Sequence, residues 1–317
     1  MDSEQFFYLD EELDVSEVRE LQSDELRCVE HYVEVTRHLQ EIQQLYQIVL
    51  FNLSIMRSNY TWMNNGDIHY KGVPAEGEEH FIAVNSMIIN LIGSARTLTE
   101  SMNCYMAENY ESNDTDAQGF LDFTHSIYDG CFAYRFLIRL RDFSQHGHPP
   151  VSQSSANYVF DLRQIIGMPH FTHNKQIKEQ LSTIVTEIMD GFHGYPTLGV
   201  TMTVAEFTVG LWKIYDYFLT CVEAHLQKSF TQAQAILDRY PENIKFKSDM
   251  IPGLFIYSIE DGNANVITVG EDTMKMLEKF QMEAKETLTT FQKDWDELKK
   301  GTVLIKKDGE TSDFSPL

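Results

Sequence analysis

Three side chains with complementary chemistry fall within the stretch FLIRLRDFSQHGHPP, residues 136–150: Arg141, Asp142 and His146. An imidazole titrates near neutral pH and can give or take a proton. A guanidinium is a permanent planar cation, suited to gripping a phosphate and the charge that builds on it in a transition state. A neighbouring carboxylate can orient the ring or restrain the guanidinium. Such a set can move a proton at an oxygen next to a bound phosphate without a metal.

The spacing around the three residues predicts where they sit. Ile127, Cys131, Tyr134 and Ile138 recur every three or four residues, as on one stripe of a helix. One further step lands on Arg141 and Asp142, where a hydrophobe is expected. His146 follows Asp142 by four residues and shares its face. Gly147 then supplies a stop, and Pro149 discourages helix at His148. Polar groups at a core-facing position cost stability unless paired, so the breach suggests a site. The competing structural reading is a helix-end Arg–Asp ion pair with His146 on the helix dipole.

Periodicity also predicts the elements that carry these residues. Apolar stripes mark long helices over 28–56, 79–108 and 117–146, and further helices over 173–189, 204–240 and 272–300. Residues 158–166 read as a short extended piece. Residues 254–259 and 266–269 flank the turn-forming 261–265 as a β-hairpin signal. The expected fold is mainly α, an antiparallel helical bundle with additional helices and a small C-terminal β-hairpin. Its expected divisions are an acidic lead-in (1–27), a helical domain (28–240) and a hairpin-plus-helix appendage with a polar tail (241–317).

The pattern Arg141-Asp-x-x-x-His146, closing a third helix after two long ones, resembles the signature of the HEPN superfamily. That resemblance covers roughly residues 28–226. It implies a four- or five-helix unit and metal-independent endoribonuclease activity by a homodimer, in defence or growth control. Arg141, Asp142 and His146 would be the catalytic residues, and a polar residue of the second helix often joins them. Glu100, Arg96 and Asn90 all qualify for that place. Arg135 and Arg139, with Arg163, supply local positive charge for substrate, and Arg135 and Arg139 are equally readable as solvated. A catalytically silent relative would keep the fold, so the alternative function is a non-catalytic interaction module binding a protein partner or a nucleotide.

Composition narrows the classes further. The net charge of −23 gives no general attraction to nucleic acid or anionic membrane, so an RNA substrate must be held by a local basic pocket. Residues 1–30 alone carry eleven Asp/Glu against two Arg. Cys28, Cys104, Cys131 and Cys221 form no Cys-x-x-Cys pair and read as buried free thiols in a reducing compartment. His146-x-His148 and His170-x-x-His173 lack nearby Cys or a His-Glu-x-x-His pattern, which argues against zinc. No cofactor, metal or membrane contact is expected. RNA, a second copy and a regulatory protein are the expected partners, and the cytoplasm the expected location.

Overall fold

Helical periodicity becomes eight helices among the described residues of the computed structural model. They are α1 (Ser23–Ser58), α2 (Glu78–Asn109), α3 (Thr115–Gly130), α4 (Phe132–Gln145), α5 (Leu162–Ile166), α6 (Lys175–Phe192), α7 (Val200–Leu237) and α8 (Thr273–Gly301). The structure describes residues 5–6, 22–58, 69–70, 73–74, 78–111, 113–154, 157–167, 175–192, 197–237, 256–257, 273–301, 303–305 and 311–313.

α7 is the axis of the bundle, because apolar side chains surround much of its length. Phe207, Leu211, Trp212, Ile214, Tyr215, Phe218 and Leu219 are all buried. It packs against α8, α1, α3 and α4, while α2 lies on α1 and α4. Aromatic rings hold three of these helices together. Tyr46 of α1 stacks on Tyr215 with ring centroids 4.3 Å apart, and its edge meets Trp212 at 4.9 Å. Its hydroxyl donates to Thr287 Oγ1 of α8 at 2.7 Å, and burial pushes its pKa up to about 12. α8, which the sequence places in an appendage, thus contributes to the same core through Leu277, Phe280, Ala284, Phe291 and Trp295.

A small antiparallel sheet lies beside the bundle. Strand β1 (Ser152–Ser154) pairs with β2 (Asn157–Asp161), which pairs with β3 (Thr197–Gly199). The extended piece expected over 158–166 is therefore half strand and half helix, because Asp161 caps α5 through the backbone N–H groups of Arg163 and Gln164. The hairpin expected over 254–269 has a different described partner: Ile256–Tyr257 pairs with Gln5–Phe6. Residues 266–269 lie outside the described residues. A hairpin does occur in the expected polar tail, where Val303–Ile305 pairs with Thr311–Asp313. All four cysteines are free, but only Cys221 is buried; Cys28 and Cys131 are half-buried and Cys104 is exposed.

The helix expected over 117–146 is two helices. It breaks at Cys131, whose backbone is extended (φ −113°, ψ 104°) and whose thiol sulfur accepts from the Tyr134 N–H at 3.4 Å as the cap of α4. The Cys131 sulfur also lies 3.8 Å from Glu206 Oε1 of α7. Burial raises the pKa of this carboxyl above its ordinary range, against the opposing pull of the thiol hydrogen bond and of Lys299. A carboxyl whose pKa is raised by folding favours the fold when protonated, and that advantage is lost as pH rises from its ordinary value near 4.5 through the raised one. Glu206→Gln is therefore expected to raise the melting temperature at pH 7.5 by about 1–2 °C, with the gain shrinking below pH 4.5, in paired thermal scans.

Candidate functional site

Residues of α4 are buried almost all round from Ala133 to Ile138, and only its last turn opens outward. The stripe of Tyr134 and Ile138 stays buried within α4, at 3% and 6% exposed, but it does not continue inward past Ile138. The core-facing positions at this end are Leu140 and Phe143, which are 0% and 2% exposed. Arg141 and Asp142 therefore flank the core rather than breach it, which corrects the sequence expectation.

Arg141, Asp142 and His146 do share the last turn. The Arg141 side chain is 29% exposed and that of Asp142 46%, with Nη1 and Oδ1 3.9 Å apart. The Arg141 Nε is buried and has no hydrogen-bond partner among the described residues. His146 is exposed and is the C-cap; its backbone N–H donates to the Phe143 carbonyl at 3.3 Å. The chain turns away at Gly147, whose φ of +90° belongs to the left-handed region that a side chain disfavours. His148 then lays its ring against Phe143, centroids 5.0 Å apart.

Asn85 of α2 holds the segment that follows. Its Oδ1 accepts from the Val151 N–H at 2.9 Å, and its Nδ2 donates to the Val151 carbonyl at 3.3 Å and to the Phe81 carbonyl at 3.1 Å. Both polar backbone groups of the buried Val151 are thereby satisfied by one side chain. A polar residue on the apolar stripe of α2 was the available signal, though it carried no hint of its partner.

The remaining candidates lie elsewhere. Arg135 is 1% exposed and donates through Nη1 to the carbonyls of Tyr128 (2.6 Å) and Asp129 (3.0 Å), and through Nη2 to Gln180 Oε1. It is a buried brace across the end of α3, not a surface cation, which corrects its assignment to substrate. Arg139 donates from Nε to the Tyr128 hydroxyl at 3.1 Å, with its guanidinium 6.0 Å from that ring's centroid. Arg96 and Glu100 form an ion pair at 2.6 Å on α2. Arg96 lies near Tyr134, whose pKa burial raises against the opposing pull of the Arg96 charge. Tyr134 precedes Arg141 by seven residues, so this pair is displaced by about 10 Å along α4 from the motif. Arg163 is exposed on α5.

Among the described residues no group of three or more His, Cys, Asp and Glu is arranged to hold a metal ion. His170 and His173 lie outside the described residues. An open cleft of about 560 Å³ between α7 and α8 is lined by Lys213, Leu288, Lys293 and Lys300 among others, and by none of the motif residues. Comparison with known protein families, with curated proteins and with solved structures finds no match for this chain.

The hydrogen bonds separate positioning residues from open ones. Asn85→Ala leaves the buried Val151 N–H without a partner and should cost about 1–3 kcal/mol in urea unfolding. Arg141→Ala removes only a loose, part-exposed ion pair and should change stability by less than about 1 kcal/mol.

Proposed function

We propose that this chain is a HEPN-like helical protein that cleaves RNA without a metal, with the last turn of α4 as its reacting surface. The observation that carries this reading is the state of Arg141. Its guanidinium is part-buried beside Asp142 with an unbonded Nε, one turn from an exposed His146. The terminal N–H groups of this part-exposed guanidinium make only a loose contact with Asp142 among the described residues and are left to offer a phosphate, whereas Arg135, Arg139 and Arg96 already donate to groups of the protein. In this reading Arg141 binds the scissile phosphate and the charge that builds on it. His146 moves the proton at the 2′- or 5′-oxygen, and Asp142 restrains the guanidinium. The long helices and the motif at the end of α4 support the resemblance, and the homodimer and cytoplasmic setting belong to the same proposal.

One observation favours a second reading, a non-catalytic module that binds a partner protein. The positive charge expected around the motif is largely consumed in internal contacts, and the chain is strongly acidic overall. Incubation of the pure chain with mixed single-stranded RNA in chelator separates the two. The nuclease reading expects cleavage by the wild type and a loss of about two to four orders of magnitude in His146→Ala, with an unchanged melting temperature. Arg141→Lys should restore little, because an ammonium lacks the planar fork. Intact RNA after incubation with folded wild type assigns the chain to the interaction module.

A further inference from the structure

Two histidines of α1 meet neighbours of opposite kinds. His31 and His38 are seven residues apart and lie on one stripe of the helix. His38 has an acid partner, with its Nδ1 3.5 Å from Glu108 Oε2 of α2. His31 faces a second histidine instead: its ring meets that of His225 on α7 edge-on, with centroids 5.6 Å apart.

His225 is half-buried, and its Nδ1 is buried without a hydrogen-bond partner among the described residues. Tyr110, just past the end of α2, lays its ring 4.8 Å away but gives its hydroxyl proton to the Cys221 carbonyl at 3.1 Å. Asp114 attracts a proton to His225, yet its Oδ1 already accepts from the Asp116 and Ala117 N–H groups as the cap of α3. Lys228 adds positive charge from α7 itself. A neutral imidazole has one donor nitrogen and an imidazolium has two. Protonating His225 therefore buries an N–H with no acceptor, beside a second titratable ring and a lysine. Burial first, then the charges of His31 and Lys228, hold the His225 pKa below its ordinary value of 6.5, against the pull of Asp114. A histidine so placed stabilises the packed state while neutral. That contribution is complete above pH 6.5 and is lost as pH falls below it.

The apolar contact beside this pair is small. Val29, Tyr32, Ala233 and Ile236 form a satellite cluster of α1 and α7, separate from the main core, with Leu26 and Phe230 packed on it. A hydrogen bond between the hydroxyls of Tyr32 and Thr273 of α8 ties down the same turns. From Val35 onward α1 belongs to the main core. The first turns of α1 can therefore part from α7 while the rest of the bundle stays closed.

We propose that the His31–His225 contact is an acid-released latch: protonation of the pair frees residues 23–34 of α1 from α7 and uncovers the apolar surface of Val29, Tyr32, Ala233 and Ile236. His38 marks where the opening stops, because its protonated ring pairs with Glu108 and acid tightens that contact. The inference does not depend on RNA cleavage.

Hydrogen–deuterium exchange of the full chain at pH 7.5 and pH 5.5, corrected for the intrinsic exchange rate, tests it. Protection of the wild type over residues 24–34 should fall about tenfold at the lower pH, while residues 42–53 keep theirs. His225→Phe keeps a ring in the site without a titrating nitrogen and should abolish the acid response. His31→Gln, at an exposed position, should cut the change to about threefold or less and leave the melting temperature at pH 7.5 unaltered. Equal protection at both pH values overturns the proposal, as does an acid response that survives His31→Gln combined with His225→Phe. Loss of protection in both segments together is global acid unfolding, and it overturns the latch as well.

Discussion

A buried guanidinium decides how the site-bearing helix is set into the bundle. Arg135 is 1% exposed, and a charge at that depth is tolerated only when its donors are accepted by the protein. The acceptors exist because α3 stops at Gly130, which frees the carbonyls of Tyr128 and Asp129 from the helical ladder. A cation at a helix C-terminus is also favoured by the helix dipole. Gln180 of α6 accepts from the second terminal nitrogen, and Nε alone has no partner among the described residues. The break at Cys131 and the burial of Arg135 therefore require each other: a continuous helix would withdraw the carbonyls and strand the charge.

At the other end of α4, Leu140 and Phe143 close the core while Arg141, Asp142 and His146 stay at its margin. Gly147 then turns the chain, and Asn85 pins it at Val151. The motif is thus held between two fixed points, the thiol-capped start of α4 and the Asn85 clamp, without being buried itself. Rigid support beneath partly open polar groups is what a reacting or binding surface requires.

The long helices were legible because their apolar stripes extend over many turns. Ile42, Tyr46, Val49 and Leu53 mark α1 as clearly in sequence as in space. The break in the third helix was not legible, since Ile127, Cys131, Tyr134 and Ile138 keep helical spacing straight through it and no proline marks it. Strand β1 is the polar triplet Ser152–Ser154 and β3 comes from a glycine-rich turn, too short for an alternation signal. Of the site, the clustering of Arg141, Asp142 and His146 followed from adjacency. The burial of Arg135 did not, because an arginine is read as a surface cation until the helix end that accepts its protons is known. Asn85 was visible only as an oddity on an apolar stripe.

The chemistry proposed for the last turn of α4 makes the most direct demand on experiment. Attack by a 2′-oxygen with proton transfer through His146 needs no metal and leaves a characteristic pair of ends. Mass spectrometry of RNA incubated with the pure chain in excess chelator should find 2′,3′-cyclic phosphate on one fragment and 5′-hydroxyl on the other. RNA that stays intact, or fragments that carry a 5′-phosphate and appear only when a divalent cation is restored, would contradict the account.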